Sequence, residues 1–548
     1  MQRSQQYQRY CPGEEQIKIS DAICVGRRRG SFPKCRGCQF NDDEHEAVEL
    51  PAAAPPPRTV TRPEAPRPIP TSVLLEKDDQ LRINELFKAY DIRGKCPDPL
   101  SRTVAWRIGQ GVAQVLRAEL RGYDKSRADK FAVIVGRDMR RHSPEIAAGL
   151  IEGIRAAGSP VIDIGVVDTP QVYYAVNRFT CCGGVMVTAS HNPAEYNGFK
   201  ICGQKAKPMG LDTGLAKILK IASNTMRQAN KPTELEEVEQ VDLTAEYREF
   251  VREFLQPPPA RITEDRPLHV VVDASNGMAG RWFPILFGDV EWLKVTPLNF
   301  DHNGKFVHDP DPLVPANLRQ LCDRVKRAGA DFGVCFDGDA DRIICVDETG
   351  TPVRADLMTA LLAKQYLRKW PGSTIVYDVR CSQVVREEIE SAGGIARRER
   401  CGHVFLKKAM AESKAVFGGE LSGHYYFRQN FHSDSAFIAF AAIVNMYVGA
   451  ECAFSEMITP LQRYAHSGER NFRNDHQHAT TMRLSRKYGD GDVDDLDGIT
   501  VRYPHWWFNV RPSNTEPLLR LNLEAKNRNI LQHKLDELYA MLGTPVDD

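Results

Sequence analysis

The sequence predicts a protein of several α/β domains followed by a smaller α+β domain. Short apolar runs alternate with longer amphipathic stretches over most of the chain, and strands that alternate with helices are typical of α/β domains. The alternation occurs three times, which predicts three similar domains with mixed sheets flanked by helices. The chain also has 548 residues, well beyond the ~250–300 at which a single hydrophobic core stops growing.

The first of the three domains shows the pattern most clearly. The apolar runs over 131–138 and 160–167 predict strands, and residues 143–158 between them predict a helix. Ser143 is the predicted N-cap of this helix, and Pro144 falls in its first turn, where the missing N–H of proline removes no hydrogen bond.

The same pattern returns further along the chain, over residues 268–280, 330–350 and 373–394. After about Arg463 the composition changes. Strand-like runs followed by a helical stretch over 527–542 predict antiparallel strands and a final helix, which is the α+β domain.

The predicted organisation has six parts. Their boundaries are 1–47 for a small cysteine-containing segment, 48–80 for a Pro/Ala-rich linker, 81–235 for a domain with a serine loop, 236–350 for a domain with an acidic loop, 351–460 for a third α/β domain, and 461–548 for the α+β domain. The composition of the linker favours an extended polyproline conformation.

Composition limits the classes of partner. Lys plus Arg and Asp plus Glu each number 72, so no net field favours nucleic acid or an anionic membrane. No apolar stretch approaches the ~20 residues of a membrane span, and the N-terminus lacks the apolar core of a secretory signal. Fourteen cysteines in a chain of this length do not indicate a disulfide scaffold. We therefore expect a cytoplasmic protein that binds neither membrane nor nucleic acid.

An acidic loop, DGDADR from Asp337 to Arg342, lies between two apolar runs. In an extended loop the side chains of Asp337, Asp339 and Asp341 project to one side, and three close carboxylates repel one another unless a cation lies among them. Oxygen ligands in this number favour Mg²⁺. An EF-hand is excluded because Arg342 stands where its loop needs glycine and because strands flank the loop. The remaining alternative is a solvated acidic turn.

A serine, Ser190, follows the apolar run 185–187 in the stretch TASHNP, which predicts a loop at the end of a buried strand. His191 is adjacent, but neighbouring side chains of an extended loop diverge, so we expect no Ser–His dyad. The stretch also lacks the G-x-S-x-G elbow of α/β hydrolases. A serine that accepts and donates phosphate, with Mg²⁺ at the transferring group, fits the acidic loop better.

Two further polar loops carry groups that bind anions and hydroxyls. In the loop NVRPSNTEP, Arg511 offers a planar fork for a phosphate. The same loop adds the short donors Ser513, Asn514 and Thr515. In the loop GGELSGH an alternating row of polar residues can bind a polyol, namely Glu420, Ser422 and His424. The alternatives are an ordinary turn for the first loop and a β-bulge for the second.

Six motifs, in this order along the chain, resemble the α-D-phosphohexomutase superfamily and most closely its phosphomannomutase/phosphoglucomutase branch. They are ELFKAYDIRG (85–94), GRDMR (136–140), TASHNP with NGFK (188–200), DGDADR (337–342), GELSGH (419–424) and RPSNTEP (511–517). The resemblance covers roughly residues 81–545. It implies four domains around a central cleft, each of which contributes one loop.

The resemblance also implies a reaction and the residues that carry it. Phosphoserine at Ser190 gives its phosphate to a sugar phosphate, which forms a hexose 1,6-bisphosphate that turns end for end and returns its other phosphate. The implied catalytic residues are Ser190, Lys200 as general acid/base, Arg93, His191 and Arg342. The implied Mg²⁺ ligands are Asp337, Asp339, Asp341 and an oxygen of phosphorylated Ser190. The implied sugar-binding residues are Tyr90, Arg380, His403, Glu420, Ser422 and His424, and the implied phosphate clamp is Arg511, Ser513, Asn514 and Thr515.

A lysine that acts as a base needs a lowered pKa, which we expect burial beside Arg93 or the metal to provide for Lys200. Two residues depart from the family pattern: Arg380 stands where lysine is frequent, and Leu421 stands where this branch commonly has methionine. The branch accepts both mannose and glucose phosphates, so the sugar is not predicted. We expect a monomer or a homodimer.

Three other functions stay open as alternatives. The first is a phosphoglucosamine mutase, from a related branch of the same superfamily. The second is a phosphatase that forms the same phosphoserine, although it would not need the clamp around Arg511. The third is a non-catalytic regulatory protein, against which the intact Ser190, Lys200 and aspartates argue.

Residues 1–72 lie outside the resemblance. Their four cysteines are Cys11, Cys24, Cys35 and Cys38, and the last two form a C-x-x-C pair with zinc-knuckle spacing. A Zn²⁺ ion held by all four would let so small a segment fold. Two interpretations stay open, a zinc site and a tail with incidental thiols.

Overall fold

The computed structural model describes residues 8–10, 18–20, 77–120, 131–225, 237–513 and 517–546. They fall into an N-terminal unit that ends at Pro57 and a large unit that begins at Arg58. In the N-terminal unit, strands β1 (Gln8–Tyr10) and β2 (Lys18–Ser20) pair antiparallel. The four cysteines of the predicted zinc site lie outside the described residues, so that site stays a prediction.

The first sheet of the large unit has six strands, in the order β3-β7-β6-β4-β5-β8. They are β3 (Ile92–Lys95), β4 (Ala132–Arg137), β5 (Val161–Val166), β6 (Cys181–Val187), β7 (Tyr196–Gly203) and β8 (Val238–Gln240). Strands β4, β5, β6 and β8 are parallel, whereas β7 runs antiparallel to both β6 and β3. The helices of this region are α1 (Lys77–Leu86), α2 (Arg102–Ala118), α3 (Ser143–Ala156), α4 (Thr169–Arg178), α5 (Leu215–Asn224) and α6 (Thr244–Arg252).

The predicted strand–helix–strand order of β4, α3 and β5 is confirmed, but the predicted N-cap of α3 is wrong. His142 is the N-cap residue and Ser143 is already helical. The hydroxyl of Ser143 donates its hydrogen bond to the Asp138 carboxylate instead of accepting one from the helix.

The second and third sheets share one strand order, β10-β9-β11-β12-β13 and β15-β14-β16-β17-β18. The second contains β9 (Leu268–Asp273), β10 (Leu293–Leu298), β11 (Phe332–Phe336), β12 (Ile343–Asp347) and β13 (Pro352–Val353), with helices α7 (Met278–Phe287) and α8 (Arg319–Ala328). The third contains β14 (Thr374–Asp378), β15 (Ile395–Glu399), β16 (Phe417–Gly419), β17 (Tyr425–Phe427) and β18 (Ser433–Asp434). Its helices are α9 (Ala355–Lys369), α10 (Gln383–Ser391), α11 (His403–Ser413), α12 (Ala436–Val448) and α13 (Phe454–Ile458).

The fourth sheet is antiparallel throughout, in the order β19-β23-β22-β21-β20. Its strands are β19 (Ala465–Arg473), β20 (Asp492–Asp494), β21 (Ile499–Tyr503), β22 (Trp506–Pro512) and β23 (Leu518–Ala525), and its helices are α14 (Gln477–Lys487) and α15 (Arg528–Leu542). The predicted fold class, three similar α/β domains and one α+β domain, is confirmed.

One hairpin recurs in each of the first three sheets, and it positions the functional loops. The antiparallel pairs β6–β7, β11–β12 and β16–β17 occupy equivalent places in the three strand orders. Their connections contain Ser190, the acidic loop and Glu420, respectively. In the fourth sheet the connection between β22 and β23 follows Arg511.

Helix α12 packs the second sheet against the third. Eleven of its residues are buried, so it is apolar on almost every side. The ring of Phe440 lies 4.9 Å from that of Phe283 in α7, and the ring of Phe437 lies 5.3 Å from that of Phe336 in β11. The hairpins β11–β12 and β16–β17 also meet directly, through a backbone bridge between Arg342 and His424. None of the described helices is both long and apolar enough to cross a bilayer.

Candidate active site

Ser190 and the acidic loop meet at the ends of two hairpins. Ser190 is fully buried and left-handed, with φ of 51°. Its hydroxyl donates a hydrogen bond of 3.0 Å to Oδ2 of Asp337. The backbone of the acidic loop presses against the backbone of Ser190 where Gly338 has no side chain. The serine and the carboxylates therefore form one site, as the sequence predicts.

The prediction that Ser190 and His191 diverge is wrong. Ser190 Oγ lies 3.4 Å from Nδ1 of His191. The prediction assumed an extended loop, in which adjacent side chains point to opposite sides, but the left-handed conformation of Ser190 turns the two side chains towards each other. Burial and the neighbouring cations Arg342 and Arg93 hold the pKa of His191 well below its ordinary value, so its imidazole is neutral.

The three carboxylates of the acidic loop are buried and close together, with ligand atoms within 4.8 Å of one another. Asp337 accepts backbone hydrogen bonds from Asp341 and Arg342 through Oδ1. Asp339 accepts hydrogen bonds through Oδ2 from Thr169, at 2.5 Å, and from Lys200, at 2.7 Å. Its Oδ1 is buried without a hydrogen-bond partner among the described residues. A free buried carboxylate oxygen beside two more carboxylates fits a hard divalent cation such as Mg²⁺.

Lys200 bridges two of the carboxylates, because its ammonium group pairs with both Asp339 and Asp341. Burial alone lowers the pKa of Lys200, but these carboxylates and Asp337 outweigh burial and hold the pKa above its ordinary value. The prediction of a lowered pKa is therefore wrong for this arrangement. Burial together with the charges of Asp341 and Asp339 raises the pKa of Asp337 well above its ordinary value.

The polar row after β16 is joined to the acidic loop by His424. Glu420 accepts hydrogen bonds from the Gly402 N–H, at 2.7 Å, and from the Tyr426 hydroxyl, at 2.6 Å. Nδ1 of His424 lies 2.9 Å from the Ser422 hydroxyl and 3.2 Å from Glu420. On the other side of the ring, Nε2 of His424 lies 3.3 Å from Oδ1 of Asp341 and 3.3 Å from Nε of Arg342.

His424 is enclosed by charge. Burial opposes its protonation, but Asp341 and Glu420 outweigh burial and the repulsion of Arg342, and they raise the pKa of His424 to about 9. The protonated ring therefore lies between Glu420, which follows the third sheet's strand β16, and Asp341 of the acidic loop.

The YDIRG loop and His403 lie together beside this cluster. Arg93 donates hydrogen bonds to Asp91, at 2.7 Å, and to Asn192 in the serine loop, at 2.5 Å. The Tyr90 ring packs edge-on against the His403 ring at 5.3 Å. Both ring nitrogens of His403 are buried without a hydrogen-bond partner among the described residues. His403 is thus ready to bind a polar group that enters the site.

The two remaining arginines are each paired with a carboxylate. Arg380 donates two hydrogen bonds to Asp378, at 3.1 and 2.8 Å. Arg511 donates one of 2.8 Å to Glu469, and Arg520 donates another of 3.1 Å to the same carboxylate. Burial opposes ionisation of Glu469, but Arg511, Arg380 and Arg520 lower its pKa to about 2.

The clamp is only partly described. The N–H of Ser513 donates to the carbonyl of Leu518, while Asn514 and Thr515 lie outside the described residues.

Sequence reasoning missed Thr169 and Glu469, both of which contact predicted site residues. Thr169 begins α4 directly after β5, at the edge of the first sheet where Ser190 also lies. Its position after a strand is a usable signal, because the carboxyl ends of parallel strands meet at one edge. Glu469 lies within β19, opposite Asn522, and no sequence signal marks it.

Comparison with known proteins assigns the chain to a family. Models of phosphoglucomutase/phosphomannomutase α/β/α domains I, II and III match residues 84–229, 245–350 and 354–464, and the C-terminal domain model matches residues 485–540. A curated relative named "Phosphohexose mutases" from Xanthomonas campestris pv. campestris is 37% identical over 461 residues, which cover 83% of this chain and 98% of the relative. The chain belongs to the phosphoglucomutase/phosphomannomutase family. The resemblance drawn from the six motifs is confirmed.

Other members of the phosphoglucomutase/phosphomannomutase family agree in sequence and fold. A phosphomannomutase from Methanocaldococcus jannaschii is 33% identical over 462 residues, 84% of this chain and 97% of that protein. The crystal structure of a phosphoglucomutase/phosphomannomutase family protein from Burkholderia thailandensis superposes with a TM-score of 0.73 at 30% identity, and the match covers 84% of this chain and 97% of that one. The open form of parafusin, a phosphoglucomutase from Paramecium, shares the fold with a TM-score of 0.68 at 16% identity, over 90% and 99% of the two chains.

Proposed function

We propose that this protein is a Mg²⁺-dependent phosphohexomutase that interconverts hexose 1-phosphate and hexose 6-phosphate, with mannose, glucose or both as the sugar. The observation that carries the proposal is the Ser190 hydroxyl, 3.0 Å from Asp337 at the edge of three buried carboxylates. The names of the relatives, phosphomannomutase and phosphoglucomutase, support the same reaction.

In the first half-reaction the phosphate of phosphorylated Ser190 passes to a sugar hydroxyl. The bond between phosphorus and Ser190 Oγ breaks and Oγ gains a proton, while a bond from phosphorus to the sugar oxygen forms and the proton of that hydroxyl moves to a base. Asp337, Asp339 and Asp341 would hold Mg²⁺, which when bound would supply positive charge to offset that of the transferring phosphoryl group. The product is a hexose 1,6-bisphosphate, which turns end for end and returns its other phosphate to Ser190.

Lys200 is the proposed general acid/base. In this structure its ammonium form is stabilised by Asp339 and Asp341, so it can donate a proton as it stands. To accept one, it must first be released from these carboxylates.

The remaining residues hold the substrate between two ends of the site. Glu420, Ser422, His424 and His403 are proposed to bind the sugar hydroxyls, with Tyr90 and Arg380 at the margin. Arg511, with Ser513, Asn514 and Thr515, is proposed to hold the phosphate that does not react. A phosphatase would not need this second anion site, which favours the mutase.

A coupled assay that compares mannose 1-phosphate, glucose 1-phosphate and glucosamine 1-phosphate tests the proposal and assigns the sugar. We expect turnover with mannose or glucose phosphate that requires Mg²⁺ and is lost in Ser190→Ala. Intact mass should show one added phosphate after incubation with glucose 1,6-bisphosphate, and none in Ser190→Ala. Turnover of glucosamine 1-phosphate alone would favour the phosphoglucosamine mutase. Release of free phosphate would favour the phosphatase. A protein that shows neither phosphate uptake nor turnover would be non-catalytic.

Three further parts of the proposal rest on sequence alone. We propose a cytoplasmic location, a monomer or a homodimer, and a Zn²⁺ site at Cys11, Cys24, Cys35 and Cys38. The domain boundaries given above are proposed in the same sense.

A further inference from the structure

The GRDMR motif (136–140) has no part in the reaction described above, although its side chains lie beside the serine loop. Asp138 and Arg140 are 2% and 1% exposed. A guanidinium buried to this degree is unfavourable unless its donors are hydrogen-bonded. The acceptors of the Arg140 N–H groups therefore indicate the structural role of this residue.

Arg140 donates four hydrogen bonds to backbone carbonyls, three in the connection between β6 and β7 and one in the first residue of β7. From Nη2 they reach Ser190 O at 2.8 Å and Asn192 O at 2.6 Å, and from Nη1 they reach Pro193 O at 2.6 Å and Tyr196 O at 3.2 Å. Ser190, Asn192 and Pro193 lie in the loop and Tyr196 begins β7, and one rigid fork binds all four carbonyls.

Arg140 is itself held in place. Its Nε donates to Oδ2 of Asp138 at 3.1 Å, and Oδ1 of Asp138 accepts from the Arg140 N–H at 3.0 Å and from the Ser143 hydroxyl. Ser143 Oγ in turn accepts from Asn197 of β7 at 2.9 Å. Asp138, Arg140, Ser143 and Asn197 thus form a hydrogen-bonded frame. This frame joins the end of β4, the start of α3 and both ends of the serine loop.

The frame bears on the conformation of Ser190. A left-handed backbone is unfavourable for an L-residue other than glycine, and Ser190 adopts it with φ of 51°. Its N–H is held by the Thr188 hydroxyl at 2.9 Å, and its carbonyl is held by Arg140. With both peptide groups fixed, the side chain is directed at Asp337.

We propose that Arg140 is a positioning residue, which holds the serine loop in the conformation that presents Ser190 to the acidic loop and to the substrate. The inference rests on the proposed mutase function. Arg140 would act through Ser190, because its hydrogen bonds among the described residues go to Asp138 and the serine loop and none of them goes to the residues proposed to bind the sugar or the second phosphate. Its loss should therefore change the rate of phosphate transfer and leave substrate binding intact.

Arg140→Lys is the main test, because an ammonium group keeps the charge but cannot reach four separated carbonyls. We expect kcat to fall about 100-fold, the effect of misplacing a reacting group by about an ångström, with KM for the hexose phosphate within about threefold. Phosphate uptake from glucose 1,6-bisphosphate, followed by intact mass, should slow by a similar factor.

Arg107→Lys is the matched control. Arg107 is also buried, at 3% exposed, lies in the same domain, and donates to the carbonyls of Thr225 and Ser223. We expect its substitution to lower thermal stability to a comparable degree without a change in kcat. Equal kcat for the two variants, or a rise in KM that accounts for the whole loss in Arg140→Lys, would overturn the proposal.

Hydrogen exchange separates this proposal from the proposed function, since it needs no activity. In Arg140→Lys the amides of residues 188–198 should exchange at least tenfold faster than in the wild type, and in Arg107→Lys they should not. If exchange is faster in Arg140→Lys but the wild-type protein has no mutase activity, the proposed function is refuted and the structural role stands. Unchanged exchange in Arg140→Lys would refute the structural role. If Arg140→Lys does not fold, Ser143→Ala replaces it, with an expected five- to tenfold loss of kcat at constant KM, and an unchanged kcat counts against the proposal.

Discussion

Gly338→Ala tests whether the contact between the serine loop and the acidic loop limits catalysis. Gly338 lies between Asp337 and Asp339, and a Cβ at this position would overlap the Ser190 carbonyl oxygen, well inside the 3.0 Å below which real Cβ atoms are essentially never found. The two loops must therefore part by about half an ångström or more. The 3.0 Å hydrogen bond from Ser190 to Asp337 would stretch beyond 3.5 Å, past the range of a hydrogen bond.

The size of the effect follows from the value of that hydrogen bond. A hydrogen bond to a charged group contributes about 1.5–3 kcal/mol, and each 1.36 kcal/mol in the barrier is tenfold in rate. If the dephosphorylated serine needs this hydrogen bond when it takes phosphate back from the bisphosphate, kcat should fall about 10- to 150-fold.

A coupled mutase assay and thermal unfolding together give the measurement. The control is Gly203→Ala, at the end of β7, where a Cβ would meet only the Lys207 carbonyl oxygen at 3.9 Å and φ is −83°. We expect the control to keep wild-type kcat. A folded Gly338→Ala protein with kcat within twofold of wild type would refute the reasoning, because the spacing of the two loops would then have no bearing on the rate.

Three further predictions concern the charges of the site and the N-terminal segment. Lys200→Met should lower kcat by a factor of about 10²–10⁴. It should also enlarge the rise in melting temperature that Mg²⁺ produces, because the carboxylates lose the cation that Lys200 provides. An equal rise in the wild type and in Lys200→Met would contradict this prediction. Glu469→Gln should lower the free energy of unfolding at pH 7 by up to about 3 kcal/mol. The Glu469 carboxylate has a folded pKa of about 2 and an ordinary pKa of 4.5. It therefore stabilises the folded protein at pH values above 4.5, and this contribution is lost as the pH falls towards 2. The difference between the two proteins in urea unfolding should therefore shrink from pH 6 to pH 3, and a constant difference would refute it. The full-length protein purified under reducing conditions should contain zinc that Cys35→Ser with Cys38→Ser removes, and a metal-free wild type would favour the tail with incidental thiols.

The fold class could be predicted because its signals are local. A strand and its following helix, such as β4 and α3, differ in hydrophobic period and in their end residues, and both appear within about 25 residues of sequence. The repeated alternation was enough to predict three similar domains. The equivalence of the hairpins β6–β7, β11–β12 and β16–β17 could not be predicted, because a strand order depends on pairings between distant segments.

The sequence could predict which residues form the site, but it could not predict their conformation. The motifs named Ser190 and the three aspartates, and the structure brings them together. The relation of Ser190 to His191 was predicted wrongly, because an isolated loop gives no sign that Arg140, about 50 residues earlier in the chain, holds Ser190 in a left-handed conformation. The protonation of Lys200 was predicted wrongly for a related reason. Its partners Asp339 and Asp341 come from another sheet, and their charge exceeds the effect of burial.

The cations of the site are each neutralised by a carboxylate of the protein. Lys200 pairs with Asp339 and Asp341, and Arg511 pairs with Glu469. A phosphate that binds Arg511 therefore competes with an existing ion pair, and a cation that binds the aspartates competes with Lys200. Before a ligand binds, these pairs keep the buried charges compensated, which matters because an unpaired buried charge is far more unfavourable than a paired one. The proposed anionic substrate and divalent cation would therefore each displace a partner supplied by the protein, in a chain that has no net charge to attract either.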